Sequence, residues 1–301
     1  MTELTTIDQN NFAAMAKVMG IANENGGRSK SSSLARLRIN HTPVMGTAEV
    51  NGKNVNMEVI EGGTYKLEIP DGPTYYASSV NIRAFLQRFT YKRFVMGGAN
   101  SPNRFIKSLM TEDAKMKSDL KDTDGGFNCG KPAGYIQDFK SLPEKMQELI
   151  KQIKRVRAVF GTVDLINPVN EKGESVELDT TAFIWEIDNR DAYKLVGDVF
   201  VKFAKMGRLP PMHIITANTN ERKMPNGNSY FVPVVSLDLT NTIDSNNQED
   251  NNMLADFMSW IDNYNNYVRN SWAENVHSKL EEGDAEVLDD IVDIEVEEEV
   301  A

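Results

Sequence analysis

The chain has 301 residues, 40% of them apolar, and a formal net charge of −11. That length and apolar content suffice for a packed core in one large domain or two ordinary ones, which excludes a wholly disordered chain. No run approaches the roughly 18 apolar residues that span a bilayer, and the start MTELTTIDQNN lacks the basic and apolar regions of a signal peptide, so a cytoplasmic protein without a membrane partner is expected.

In chain order, Phe12, Met15 and Met19 share one helical face before Gly20, which predicts a short helix, and the small, basic stretch ENGGRSKSSS predicts a flexible linker that completes a segment 1–33. From Leu34 to about Val95, short alternating runs between turn dipeptides predict a β-meander. Asn51-Gly52 tolerates the positive φ of a tight turn and is its clearest hairpin signal. Ser101-Pro102 predicts a short helix through Met110, and the glycine-rich stretch 111–134 predicts a long exposed loop. Ser141, Pro143 and Glu144 predict a helix start of the capping-box type, with the helix running over about 142–153. Strands are expected at 154–166 and 179–187, a helix between Asp191 and Met206, strands at 212–218 and 229–239, and a helix over about 249–268.

Strands, then a helix, then a closing hairpin is the order of an OB barrel, with one strand to be found within 165–180. The expected fold is therefore α+β and β-rich: an OB-like barrel core at about 154–239 within a body 34–280, an N-terminal β-meander, peripheral helices and a disordered acidic tail, 281–301.

No local motif supports catalysis. GGRSKSSS lacks the spacing of a phosphate loop, and a calcium loop around Asp122, Asp124 and Gly125 would need Leu120 and Lys131 as ligands. His41, His213 and His277 stand apart from one another. Cys129 is the only cysteine, which excludes an internal disulfide and any zinc site on paired cysteines. A protein that is not an enzyme, with no cofactor and no metal site, is the expectation.

Charge is unevenly distributed. Residues 281–301 hold eleven carboxylates and no base, so the remainder is formally neutral, yet residues 83–157 carry sixteen Lys or Arg against eight Asp or Glu. Nucleic-acid binding needs cations that displace counterions and exposed rings that accept unstacked bases. Around TYKRF, Phe89, Tyr91 and Arg93 share one strand face, while Arg88, Lys92 and Phe94 share the other, so both faces mix rings with cations. Arg155 and Arg157 share one face of the next strand. The candidate phosphate contacts are Arg88, Lys92, Arg93, Arg104, Arg155 and Arg157; Tyr91, Trp185 and Tyr230 are the candidate stacking rings; Arg222 and Lys223 form a mobile clamp at a hairpin tip.

The layout of 154–239 followed by the acidic tail resembles the single-stranded DNA-binding proteins of tailed bacteriophages, which pair an OB-like core with an acidic C-terminal segment. The resemblance implies sequence-independent binding of single-stranded DNA during replication or recombination, in a host cytoplasm. It also implies that residues 281–301 compete with DNA and dock replication or recombination proteins. This chain ends in Val300-Ala301 where some members end in an aromatic residue, and a lone Cys129 does not reproduce the zinc site of others. The alternative expectation is a structural or virion assembly protein that binds no nucleic acid.

Overall fold

The computed structural model describes residues 34–50, 53–98, 102–245 and 247–281. The helix expected at 10–19, the linker after it and the acidic tail beyond 281 lie outside the described residues. The described part is α+β and β-rich. Its strands are β1 (Ala35–Ile39), β2 (Val44–Val50), β3 (Lys53–Ile60), β4 (Tyr65–Glu68), β5 (Thr74–Ala77), β6 (Ser79–Val95), β7 (Arg104–Lys107), β8 (Ile153–Ile166), β9 (Thr181–Ile187), β10 (Ile215–Lys223) and β11 (Ser229–Leu237). Its α-helices are α1 (Glu144–Gln152), α2 (Arg190–Lys205) and α3 (Gln248–Glu281).

Nine strands form one sheet in the order β11-β10-β6-β8-β9-β1-β4-β5, with β7 also on β6, and every ladder is antiparallel except that of β1 on β9. The sheet is not a closed barrel. The 17-residue β6 organises it, because one edge pairs along its length with β8 while the other is shared, Val80–Ile82 taking β10 and Lys92–Val95 taking β7. Opposite Gly161 the β6 register slips between Ala84 and Leu86, leaving Phe85 as an extra residue. A Cβ on Gly161 would approach the Arg83 carbonyl to 2.2 Å, so the close strand crossing there requires glycine.

The slip lets β6 serve three apolar clusters. Val80, Ile82 and Ala84 join the core beneath α2, whose Val196, Val199, Phe200 and Phe203 recur at helical spacing. The Asn189 side chain caps that helix by accepting from the amides of Asp191 and Ala192 at 2.9 and 3.0 Å. Phe85 instead packs with Phe160, Ile184, Phe257 and Ile261 beneath α3. Phe89 and Tyr91 pack with Ile106, Met116, Leu120 and Cys129 beneath the connection from β7 to α1.

Several expectations are corrected. Residues 104–107 form a strand, because RFIK pairs with Lys92–Val95 and gains ladder hydrogen bonds that a short helix lacks. The stretch 111–134 is no exposed loop: Met116, Leu120, Asp122, Asn128 and Cys129 are buried. Helix α1 is capped by Pro143 with no side-chain bond, so the capping box does not form. No strand lies within 167–180, and the four strands of 154–239 form no unit of their own, because β6 lies between β10 and β8 and β1 extends the sheet beyond β9. The N-terminal strands are likewise no simple meander, since β2 and β3 pair only with each other in a ribbon whose connection falls at Asn51-Gly52.

Candidate functional site

The register places Tyr91 of β6 directly opposite Arg155 of β8, on the face that also carries Phe89, Arg93 and Arg157. The connection after β7 folds over this face and walls a cleft of about 550 Å³. Lys115, Lys117, Lys131 and Arg155 line it with Tyr91, Tyr135, Phe139, Ile150 and Ile153, and no carboxylate is among the described residues that do so. Lys115, Lys117 and Arg155 are exposed and form no ion pair among the described residues. Tyr135 is 88% exposed, a ring held in solvent beside four cations.

Local chemistry holds the wall in place. Asp113 accepts from the amides of Lys115 and Lys117 at 2.8 and 3.1 Å, which fixes the turn that carries the two lysines. Buried Asp122 accepts from the amides of Asp124, Gly126 and Cys129 at 2.9, 3.0 and 2.8 Å; burial nonetheless raises its pKa above the ordinary carboxylate value. Asn128 is fully buried: Asn128 Oδ1 accepts from the Leu120 amide at 3.0 Å, and Asn128 Nδ2 donates to Asp119 at 2.7 Å. Asn128, Cys129 and Gly130 all have positive φ, at 53, 58 and 96°, and these bonds hold that unfavourable run.

Lys131 Nζ donates to the carbonyls of Pro132 and Gly134 at 2.9 and 2.8 Å and lies 5.3 Å from the centre of the Tyr91 ring. Burial, then Arg155, lowers the Lys131 pKa, and burial raises that of Tyr91. An anion entering the cleft would relieve the repulsion between Lys131 and Arg155.

The sequence-predicted residues do not converge on one place. Tyr91 and Arg155 line the cleft, but Tyr91 is 4% exposed and packed with Ile106 and Cys129, so it borders the cleft as a core residue and offers no open ring face, a correction to its expected stacking role. Arg157, 8% exposed, lies between the Phe89 and Tyr193 rings at 5.0 and 4.4 Å, donates to Gln87 and packs against Gly197, so it is a structural cation. Arg93 and Arg104 share the single carboxylate of Asp124, at 4.0 and 2.7 Å, and lie outside the cleft lining. On the opposite sheet face Lys92 is 3.6 Å from Glu186 and 4.6 Å from the Phe105 ring centre, while Arg88 reaches Met258 of α3. Trp185 is 4% exposed and edge-on to Tyr65, a core position that only borders a neighbouring cavity, which corrects its expected role as an open stacking ring. Arg222 and the Tyr230 hydroxyl both bind Asp191; Arg222 and Lys223 are both exposed, and Lys223 forms no ion pair among the described residues.

Lys115, Lys117, Lys131 and Tyr135 were not identified from the sequence. The signal available was the clustering of bases around Met116 and Leu120 within a stretch whose glycines suggested solvent.

Among the described residues no group of three or more His, Cys, Asp or Glu side chains is placed to hold a metal ion, and no helix is long and apolar enough to cross a membrane. No protein-family model, curated protein or solved structure matches the chain.

Proposed function

We propose that the chain binds single-stranded DNA without sequence preference, through the cleft between the Tyr91–Arg155 pair and the connection that follows β7. The cleft lining carries this reading: four cations converge with the exposed Tyr135 ring and no carboxylate. The cations replace condensed counterions along the phosphates, and the Tyr135 ring accepts a base that a duplex keeps stacked inside.

Strand order supports the same reading. The run β11-β10-β6-β8-β9, with α2 between β9 and β10, follows the order expected of an OB-like core opened beside β9, where β1 takes the parallel position. In such a core the connection between the first two strands and the hairpin joining the last two flank the ligand. Here the first of these carries the cleft and the second carries Arg222 and Lys223. The likeness to phage single-stranded DNA-binding proteins is part of this proposal. So is the role of residues 281–301, whose eleven carboxylates compete for the cleft and dock replication or recombination proteins.

Fluorescence anisotropy on intact protein and on protein lacking residues 281–301 tests the reading. Both forms bind a single-stranded oligomer at least about tenfold more tightly than duplex. The truncated form binds more tightly than the intact one, most at low salt, where the tail is least screened. Absence of binding by both forms at low salt contradicts the proposal.

A further inference from the structure

The face of β6 and β8 opposite the cleft carries a second set of cations and rings, built by elements that a five-stranded barrel does not contain. Arg36 and Arg38 of β1, Lys107 of β7 and Trp260 and Tyr264 of α3 line one depression together with Glu186 of β9. The Trp260 and Tyr264 rings are stacked, 5.9 Å apart and inclined by 11°. Arg38 and Glu186 also line the adjoining cavity of about 330 Å³, which contains Lys92, His41 and Phe231. His41 and Asn189 in turn line a third, of about 320 Å³, that reaches Lys223 and Tyr230 at the β10–β11 tip. Shared residues thus set the three depressions side by side, as one groove-like tract.

Its electrostatics are incomplete within the chain. Five cations face two carboxylates, Glu186 and Asp188. Lys92 is paired with Glu186 and Arg38 with Glu68 at 3.6 and 3.5 Å, whereas Arg36 and Lys107 form no ion pair among the described residues. Lys107 is half-buried, and its pKa is lowered by that burial despite the nearby Glu186, with Lys92 and Arg36 adding repulsion. A cation left in this state favours an anionic ligand, and the rings beside it favour one that carries bases.

We infer that this groove is a second single-strand-binding surface, holding further nucleotides of the same strand that occupies the cleft. The strand passes from one face to the other around β8, whose residues 153–156 extend beyond the end of β9, since Arg157↔Ile187 is the last pair of that ladder. Arg155 stands on the cleft face of this free edge and Lys154 on the groove face. The inference rests on the reading of the cleft.

Oligothymidylates of about four and about twenty nucleotides separate the two surfaces, since a single module covers roughly 4–16 nucleotides. The full chain is compared with the double variant Arg36→Ala, Lys107→Gln by anisotropy, with the occluded length measured on a long strand. The variant should bind the short oligomer within about twofold of the parent, lose about tenfold on the long one, and occlude fewer nucleotides. Unchanged affinity and occluded length on the long strand would overturn the second surface, as would an equal loss on both oligomers. A parent chain that binds neither oligomer contradicts the cleft reading as well.

Discussion

Arg155 and Arg157 lie two residues apart on one face of β8, yet only the first is available to a ligand. Strand alternation predicts their common face; it does not report what covers that face. Helix α2 brings Tyr193 and Gly197 onto Arg157, and Phe89 closes the other side, whereas Arg155, with the Tyr193 ring at 5.1 Å and Tyr91 opposite it on β6, stays exposed. The same limit explains Trp185. A tryptophan in FIWEI is compatible with a stacking platform or a core position, and the long-range contact with Tyr65 decides for the core. Trp185→Ala should therefore cost about 3–5 kcal/mol of stability, since truncating a buried tryptophan opens a cavity. In urea unfolding the midpoint should fall accordingly. A variant as stable as the parent, binding DNA more weakly, would return Trp185 to the binding surface.

At the scale of elements, periodic segments were legible and hydrogen-bonded ones were not. Helix α2 and strands β8, β9, β10 and β11 follow from apolar spacing and β-branched content, within a few residues of where they occur. The connection 111–136 has no such period, because polar groups organise it: Asp122 and Asn128 satisfy its amides, and Met116, Leu120 and Cys129 reach the core singly. Glycine, asparagine and aspartate serve such a hub and a solvated loop equally well, so the cleft wall was read as loop.

The attachment of α3 was also hidden. Arg83 of β6 binds Asp250 of α3 through two bonds of 2.7 and 2.6 Å and the Pro211 carbonyl through a third of 2.7 Å, across 167 residues of chain in the case of Asp250. Removing Asp250 leaves Arg83, 18% exposed at its side chain, with the Pro211 carbonyl but no counter-charge, which costs about 3 kcal/mol. Asp250→Ala should lower stability by that amount and free the start of α3, read as faster amide exchange over its first turns. A loss below about 0.5 kcal/mol would mean that the pair behaves like an exposed surface bridge.

For the whole molecule, the net charge of −11 conceals the feature that matters. Carboxylates are concentrated in residues 281–301, while the cleft wall and the opposite groove gather cations from β1, β6, β7, β8 and the connection 111–136. The excess of bases in 83–157 and its alternation across both faces of the strand around TYKRF are legible in the sequence; the elements that complete each face are not, because they depend on β6 pairing with β8 across about 60 to 87 residues and on β1 joining β9 from the other end of the chain. The long β6–β8 ladder makes the ring-and-cation pattern two-sided, and the coverings differ, a polar connection on one face and α3 on the other.

The central claim is that the cleft cations contact phosphate, and the salt dependence of single-strand affinity measures this most directly. Each phosphate neutralised on a single strand contributes about 0.7 to the slope of log affinity against log salt concentration. Lys115, Lys117 and Arg155 are exposed and form no ion pair among the described residues, so replacing all three with Ala should leave folding nearly unchanged. The account predicts that the triple variant binds more weakly and that its salt slope is shallower than the parent's by about 2. A folded triple variant with the parent's affinity and slope would contradict it.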